Sequence, residues 1–275
     1  MSIDQRHDVA LPEGTVRLTF SAHTDRGVVR RINEDSLLAA PPLFIVADGM
    51  GGHAFGDRAS QTAVHTFASE FAADVAATPQ RILDTLRLAN DAVIELTADE
   101  GPGGAISGTT LTGVALVESD DDDLRAAYRW MAFNVGDSRT YVWDGDSLTQ
   151  LSVDHSAVQE MVDLGLITRR EAELHPDRNI VTRALGADVE VDADVWLVPV
   201  AGHQTFLLCS DGLTKELSDA AIARIIATRD AERRNDSQTP SATLAERLVD
   251  AAVAAGGTDN VTVVVVESYV LTTSP

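Results

Sequence analysis

An α+β layered domain is the fold class that this sequence predicts, and two observations predict it. Short apolar strand patterns crowd the middle third of the chain, with no room between them for crossover helices, which favours antiparallel pairing. Helical patterns stand before, between and after these strands, without the regular strand–helix alternation of a doubly wound parallel sheet. Helices packed on antiparallel sheets are therefore expected.

The first part of the chain contains the patterns of two strands and two helices. The strand patterns show apolar–polar alternation or an apolar run of strand length. The helix patterns show apolar residues at three- and four-residue spacing, and the second helix opens with a capping threonine followed by proline. Strands are predicted at 15–24 and 43–47, and helices over 57–77 and from Thr78 onward.

The middle and C-terminal parts add shorter elements of both kinds, separated by Gly-, Asp- and Ser-rich breaks. Strands are predicted at 111–117, 126–135, 140–143, 195–200, 205–209 and 261–270. Helices are predicted at 157–164, 169–173, 219–228 and 243–255. The polar stretch 229–241, which contains Pro240, predicts a loop between the last two helices.

Length and composition bound the organisation of the chain. Its 275 residues, 44% of them hydrophobic, suffice for one large domain with a sizeable core. We expect a single domain over 1–275, with 1–14 as a flexible N-terminal segment. That segment is charged and lacks the apolar centre of a signal peptide, and no apolar run reaches the ~18–20 residues of a membrane helix. The expected location is the cytoplasm.

A large negative charge limits the classes of partner. The chain has 21 Lys and Arg residues against 43 Asp and Glu residues, a formal net charge of −22. Phosphate backbones and anionic membranes repel such a surface, so neither nucleic-acid binding nor membrane insertion is expected. The single cysteine, Cys209, forms no internal disulfide, which suits a reducing compartment.

Four aspartates share a local setting that composition does not require. Each lies at an end of an apolar strand beside Gly, Ser or Asn, where a short carboxylate is held rigidly and glycine lets main-chain carbonyls approach. Such oxygen-rich settings suit hard divalent cations such as Mg²⁺ or Mn²⁺. Asp-Gly pairs also form ordinary turns, and spacing alone leaves that alternative open. The four residues are Asp48, Asp137, Asp211 and Asp259.

A further acidic segment begins with an arginine. Arg30 precedes the adjacent acids Glu34 and Asp35 by four and five residues. Arginine suits bidentate binding of a phosphoryl group, whereas a surface salt bridge is the structural alternative and the one that this segment alone favours.

Eight short blocks, taken in order, resemble the metal-dependent serine/threonine protein phosphatases of type 2C, the PPM family, and the second block is closest to the bacterial branch. They span residues 27–260 in the order of the family. The blocks are Arg30-x3-Glu34-Asp35, Asp48-Gly-Met-Gly-Gly-His53, Gly108-Thr-Thr110, Gly136-Asp-Ser-Arg139, Asp154-His-Ser156, Arg183-Ala-Leu-Gly186, Ser210-Asp-Gly-Leu213 and Gly257-Thr-Asp-Asn260.

The resemblance implies a four-layer αββα sandwich, with two antiparallel sheets packed face to face and helix pairs outside. It also implies two Mn²⁺ or Mg²⁺ ions, and in bacterial members often a third. Asp48 would bridge the pair, with the Gly49 carbonyl on one ion and with Asp211 and Asp259 on the other. Asp137 would hold the third ion together with Asp211.

The resemblance implies further roles around the ions. Glu34 and Asp35 would orient metal-bound waters, and Arg30 would hold the substrate phosphate. The segment 171–183 would be a mobile flap, with Asn179 facing the third ion. A hydroxide shared by the two ions would attack phosphorus directly, with no phosphoenzyme. Cys209 is not expected to be a nucleophile, because no Cys-x5-Arg loop follows it.

One position departs from the family pattern. Animal members carry a histidine directly after the Asp-Gly, assigned as the acid that protonates the leaving oxygen, and this chain has Met50 there. His53, His155 and a metal-bound water remain as alternatives.

The expected activity is hydrolysis of phosphoserine and phosphothreonine in proteins, opposing serine/threonine kinases, by a monomer. The negative field predicts a preference for phosphosites flanked by Lys or Arg. Two alternatives stay open: a non-catalytic member of the same fold that binds phosphoproteins, and an acidic cation-binding protein without phosphatase activity. The intact carboxylates and Arg30 argue against the first, and the lack of an EF-hand loop argues against the second.

Overall fold

The computed structural model describes residues 2–11, 14–51, 55–71, 77–98, 107–118, 128–235 and 242–271. In chain order its strands are β1 (Ser2–Leu11), β2 (Gly14–Asp25), β3 (Asp35–Ala40), β4 (Leu43–Met50), β5 (Gly108–Thr109), β6 (Leu111–Glu118), β7 (Tyr128–Val135), β8 (Arg139–Trp143), β9 (Leu148–Gln150), β10 (Asp194–Pro199), β11 (His203–Cys209) and β12 (Val261–Leu271). Its helices are α1 (Gly56–Glu70), α2 (Pro79–Ala98), α3 (Ala157–Asp163), α4 (Arg169–Ala172), α5 (Asp211–Glu216), α6 (Asp219–Asn235) and α7 (Leu244–Ala255).

Two antiparallel sheets organise these strands. The first sheet has the order β1-β2-β12-β11-β8-β9. The second has the order β10-β7-β6-β4-β3, with the short β5 paired to β4. The crowded strands of the middle third thus pair without crossover helices, as their spacing predicts, but they are divided between the two sheets.

Alternation along the strands separates three apolar layers. In β4, Phe44 and Val46 pack between the two sheets, whereas Leu43 and Ile45 face the opposite way, against α1 and α2. The Phe44 ring meets that of Phe20 from the other sheet edge to face, with centroids 5.2 Å apart. A third layer lies between the first sheet and α6 and α7. The predicted four-layer αββα sandwich is therefore confirmed.

The N-terminal segment differs from its expectation. Residues 2–11 are not a flexible segment but form β1, which pairs along its whole length with β2. Ile3, Val9 and Leu11 lie at odd positions and pack on the apolar layer between the sheets. Polar residues at the odd positions between them interrupt the alternation, so the strand pattern is too weak to recognise from the sequence alone.

The loop predicted at 229–241 is wrong up to residue 235, because α6 continues to Asn235. Arg229 and Arg233, one helical turn apart, both reach the buried carboxylate of Glu267 on β12. Charged residues that suggest a solvated loop therefore belong to the inner face of a helix. Pro240 and its neighbours at 236–241 lie outside the described residues. Among the helices of the described ranges, none is long and apolar enough to cross a membrane.

Candidate metal centre and active site

Three of the four strand-end aspartates meet at one edge of the first sheet. In the register of that sheet, Cys209 pairs with Arg139 of β8 on one side and with Val263 of β12 on the other. Residues just past the end of β11 therefore lie beside those that lead into β8 and β12. The aspartates placed there are Asp137, Asp211 and Asp259.

The second sheet brings two more carboxylates to the same place. Asp35 of β3 and Asp48 of β4 lie directly opposite one another in the register. Ser210 joins the two sheets here, because its hydroxyl donates to Asp35 Oδ2 at 2.8 Å and accepts from the Thr262 N–H at 3.0 Å. The carboxylates of both sheets are close enough for their charges to act on one another.

Backbone contacts fix the Asp48-Gly49 step at the end of β4. The Asp48 N–H donates to Thr110 Oγ1 at 3.0 Å, and the Asp48 carbonyl accepts from the Thr110 N–H at 2.9 Å. Gly49 has no room for a side chain, because a Cβ there would lie 1.9 Å from the Gly56 carbonyl oxygen. Glycine is therefore required for α1 to begin this close to the strand end.

Three of the clustered carboxyl groups have raised pKa values. Burial, followed by the charges of Asp35 and Asp211, raises the pKa of Asp48 well above its usual value. Burial and the charge of Asp211 also raise the pKa values of Asp35 and Asp137 to about 7. Within the described part of the chain, Asp35 Oδ1 and Asp211 Oδ1 are buried and accept no hydrogen bond. The cluster is short of positive charge.

Asp259 is a member of the cluster that has cationic partners of its own. Arg30 Nε lies 2.8 Å from Oδ1, and Lys215 Nζ lies 2.8 Å from Oδ2. Burial acts to raise the pKa of Asp259, but the hydrogen bond and charge of Lys215, with the charge of Arg30, lower it below its ordinary value. Lys215 Nζ also lies 2.5 Å from Asp211 Oδ2.

These residues fit a centre for Mg²⁺ or Mn²⁺. The donors are carboxylate and carbonyl oxygens, which hard divalent cations prefer. Raised carboxyl pKa values and unpaired buried oxygens are both relieved when a cation neutralises the cluster. Of the side chains that the structure describes, no three Asp, Glu, His or Cys already form a complete ligand set. Lys215 bridges two of the carboxylates instead.

The loop that carries Arg30 is held next to this cluster. Asn260 Nδ2 donates to the Arg26 and Ile32 carbonyls at 2.9 Å each, and its Oδ1 accepts from the Glu34 N–H at 2.8 Å. The Glu34 carbonyl accepts from the Gly49 N–H at 3.1 Å. Glu34 therefore lies beside the Asp48-Gly49 step, and Arg30 lies beside Asp259 and Glu34. Their roles toward water and phosphate stay predictions.

The predicted flap and its asparagine are less closely tied to the site. Residues 171–183 include the end of α4 and a series of turns, and the Thr182 N–H donates to the His155 carbonyl at 2.9 Å. Asn179 is exposed, and within the described ranges no hydrogen bond or ion pair links it to the acidic cluster. Its role toward a third ion stays a prediction.

Two histidines are candidate proton donors to the leaving oxygen, and the structure describes one of them. His53 lies outside the described residues. His155 is 7% exposed, and its Nδ1 accepts from the Gly136 N–H at 3.0 Å, so the ring proton is on Nε2, which lies 3.3 Å from Asp194. Burial, with the charge of Arg183, lowers the pKa of His155. The ring is thus part of the scaffold, which argues against His155 as the acid.

The lone cysteine is structural. Cys209 is fully buried in the layer between the first sheet and its helices, and burial raises the pKa of its thiol to about 12. A thiol with such a pKa is not ionised near neutrality, so it is a poor nucleophile. This agrees with the expectation from the missing Cys-x5-Arg loop.

The sequence alone assigns no role to Lys215, Ser210 or Asn260, although Ser210 and Asn260 lie within the motif blocks. For Lys215 the spacing carries the information, because it follows Asp211 by four residues in a segment that begins directly after a strand. On a helix that spacing brings the two side chains together. No element was predicted over Asp211–Glu216, so the spacing had no structural context.

Comparison with known proteins agrees with this geometry. The family model described as protein phosphatase 2C matches residues 29–250. The chain is 37% identical over 258 residues to the serine/threonine protein phosphatase PstP of Mycobacterium tuberculosis, covering 92% of this chain and 45% of that protein. It is 34% identical over 254 residues to the serine/threonine phosphatase Stp of Listeria innocua, covering 89% of this chain and 93% of that protein. The chain therefore spans less than half of the mycobacterial relative and nearly all of the other.

Solved structures share the fold. The PPM Ser-Thr phosphatase MsPP of Mycobacterium smegmatis, in complex with cacodylate, superposes with a TM-score of 0.73 at 38% identity, covering 90% of this chain and 97% of that one. The catalytic domain of PstP in complex with two manganese ions superposes with a TM-score of 0.74 at 34% identity, covering 92% and 99%.

A four-layer sandwich, a carboxylate cluster spanning its two sheets and a match over most of the chain lead to one conclusion. The chain belongs to the protein phosphatase 2C family.

Proposed function

We propose that the chain is a metal-dependent protein phosphatase that hydrolyses phosphoserine and phosphothreonine. The observation that carries the proposal is the acidic cluster, in which Asp48, Asp35 and Asp137 have raised pKa values and two buried carboxylate oxygens are unpaired. A cluster of this kind is stable near neutrality when divalent cations neutralise it. The names of the relatives support the substrate class.

The proposed centre takes two Mn²⁺ or Mg²⁺ ions. Asp48, the Gly49 carbonyl, Asp211 and Asp259 would hold them, with Asp137 and Asp211 available to a third. When bound, such ions lower the pKa of coordinated water and withdraw charge from phosphoryl oxygens. The relative crystallised with two manganese ions supports this choice of metal.

The residues of the chain have distinct tasks in the proposed reaction. Arg30 holds the phosphoryl group: its side chain is 46% exposed, while Asp259 fixes its orientation through two contacts of 2.8 and 2.9 Å. Asp35 and Glu34 orient water beside the carboxylates. With the His155 ring held in the scaffold, the leaving oxygen takes its proton from His53 or from water.

The proposed substrates are phosphorylated proteins of serine/threonine kinases, with a preference for basic residues around the phosphosite, since the net charge is −22. Monomeric state and cytoplasmic location stay predictions. Equal kcat/KM for acidic and basic phosphopeptides at low salt would remove the preference without affecting the activity itself.

Phosphate release from a phosphothreonyl peptide tests the activity. We expect turnover with Mn²⁺, its loss in EDTA, and its return when Mn²⁺ is restored. Asp211→Asn should abolish turnover, whereas the exposed Asp91→Asn should leave it unchanged. Metal-independent turnover, or full activity of Asp211→Asn, would contradict the proposal. Manganese binding without turnover would favour a non-catalytic role.

A further inference from the structure

The only lysine of the chain lies in the metal centre. Of the 21 Lys and Arg residues, the one at position 215 is the single lysine. Its Nζ lies 2.5 Å from Asp211 Oδ2 and 2.8 Å from Asp259 Oδ2, two of the proposed metal ligands. One ammonium group therefore occupies the carboxylate pair that the proposed function assigns to a divalent ion.

Helix α5 places Lys215 over this pair. The helix starts at Asp211, so that Lys215 follows one turn later on the same face. Gly212 brings the helix into direct contact with the next loop, because a Cβ there would lie 1.9 Å from the Asn260 carbonyl oxygen. The Lys215 ammonium is thereby within reach of Asp259.

A neighbouring contact holds the loop in register with the helix. Glu216 Oε1 accepts from the Thr258 N–H at 2.9 Å and from its hydroxyl at 2.6 Å. The segment that carries Asp259 is thus attached to α5 independently of Lys215. The carboxylates of Asp211 and Asp259 are expected to remain near one another when the ammonium moves away.

We infer that Lys215 is a resident cation of the metal centre, which occupies the Asp211–Asp259 pair in the metal-free protein and is displaced when a divalent ion binds. The inference rests on the metal site of the proposed function. Two effects follow: the ammonium stabilises the metal-free cluster against repulsion among its carboxylates, and it weakens metal binding because the ion has to displace it. The flexible lysine stem allows the ammonium to leave without movement of the helix.

Arg30 acts differently on the same pair. It contacts Asp259 through Nε and Nη2, and neither an ion pair nor a hydrogen bond links it to Asp211 within the described ranges. Its side chain is 46% exposed, whereas that of Lys215 is 29% exposed. Lys215 therefore bridges the two carboxylates, and Arg30 flanks one of them.

The single lysine makes the inference directly measurable. Protein labelled with ¹³C at the lysine ε-carbon gives one lysine resonance, and Mg²⁺ is diamagnetic, so the resonance remains visible during a titration. We expect its chemical shift to change in parallel with the first Mg²⁺-binding event, which calorimetry measures independently. A resonance that does not move while calorimetry reports saturation would overturn the inference, because the ammonium would then remain in place.

Substitution gives an independent readout. Lys215→Met is expected to bind Mg²⁺ roughly tenfold more tightly, which corresponds to the loss of one competing ion pair of moderate strength. In EDTA the same variant should melt at a lower temperature than the wild type. Lys215→Arg keeps the charge and should remain close to the wild type in both measurements. Arg224→Met removes one positive charge from α6 and controls for net charge.

The outcomes separate this inference from the proposed function. Unchanged or weaker Mg²⁺ binding by Lys215→Met would overturn the inference while leaving the metal centre intact. A wild type that binds no Mg²⁺ beside a Lys215→Met variant that does would support it strongly. Absence of Mg²⁺ binding in both proteins would overturn the metal centre, and the inference with it.

Discussion

Strand β12 runs between two acidic sites that differ in how far the chain itself neutralises their negative charge. Near its far end, Glu267 is 2% exposed, and both of its oxygens accept hydrogen bonds from Arg229 at 2.6 Å each. Arg233 adds contacts of 2.9 and 3.0 Å. Burial acts to raise the pKa of Glu267, but its hydrogen bonds to Arg229 and the two arginine charges lower it.

At the other end of the same strand, Arg30 and Lys215 compensate Asp259 and Asp211 only in part, and the other aspartates of the cluster have no such partners among the described residues. Asp259 directly precedes β12, and around it lie Asp35, Asp48 and Asp137, whose pKa values are raised. A buried acid surrounded by arginines belongs to the framework, because the chain itself supplies the neutralising charge. A cluster in which several buried carboxylates lack such partners fits the proposed binding of a cation from outside the chain. The difference between the two sites therefore distinguishes structure from function.

The largest expected effect is on catalysis. Asp48→Asn removes the carboxylate proposed to bridge the two ions, and we expect kcat/KM to fall roughly 10³-fold or more. The metal-free variant should melt no lower than the wild type, because a repelling charge has been removed. Peptide phosphatase assays and calorimetry in EDTA measure both quantities. A marked loss of stability with retained activity would reverse the assignment of the site.

At the opposite site the expected effect is on stability. Glu267→Gln removes the carboxylate that pairs with both Arg229 and Arg233, and Asp230, 3.0 Å from Arg229, remains as the acidic partner of this buried guanidinium. We expect a loss of about 3 kcal/mol in the free energy of unfolding. Since a change of 1 kcal/mol shifts the melting temperature by about 2–4 °C at this size, the shift should be readily measured. Replacing both Arg229 and Glu267 by Leu should cost less than the single change. The folded fraction of Glu267→Gln should retain its phosphatase activity. Loss of that activity would contradict the assignment of Glu267 to the framework.

A smaller effect is expected at Arg30, the proposed phosphate-binding residue. Arg30→Ala should lower kcat/KM by about 10–100-fold, as expected for the loss of charge-assisted hydrogen bonds to the phosphoryl group. Arg30→Lys keeps the charge but not the paired donors and should recover only part of the activity. Steady-state kinetics on a phosphothreonyl peptide measures both variants. Unchanged kinetics would mean that Arg30 only pairs with Asp259.

The smallest effect is a pH dependence that runs in opposite directions at the two sites. In EDTA, the pKa values of Asp35 and Asp137 are raised to about 7 in the folded protein. Between about pH 4 and about pH 7 the folded protein therefore binds more protons than the unfolded chain. Stability from these groups therefore falls as the pH rises through that range. Glu267 has a lowered pKa, so its contribution is present above its ordinary pKa of about 4.3 and is lost on acidification.

Melting curves in EDTA between pH 4 and pH 8 measure this dependence. Asp35→Asn should flatten the decline toward neutral pH, and saturating Mg²⁺ should remove it. A metal-free protein whose stability rises steadily from pH 5 to pH 7.5 would show that the carboxylates are not short of positive charge.

Much of the fold follows from the sequence because its apolar patterns are strong. The alternation in β2, the apolar run of β4 and the helical spacing of α1 and α2 all predict the observed elements. Where polar residues serve internal contacts, the same reasoning fails: α6 extends through 229–235 because its arginines reach a buried glutamate. The sequence does not predict strand β1, because polar residues interrupt its apolar face.

The residues of the site also differ in how far the sequence predicts them. Motif blocks identify the aspartates, since each stands in a recognisable strand-end context. Ser210 and Asn260 stand within the motif blocks, but their role depends on hydrogen bonds between the two sheets, which the sequence alone does not reveal. Lys215 belongs to the site because α5 places it one turn after Asp211 and beside a loop distant in sequence.

Diffraction at the manganese absorption edge, on crystals of the wild-type protein soaked in Mn²⁺, tests the central claim most directly. We predict anomalous peaks between Asp48 and the Asp211–Asp259 pair, with the Lys215 ammonium moved away from both carboxylates. Crystals without such a peak, in which Lys215 still bridges the pair at saturating Mn²⁺, would contradict the account.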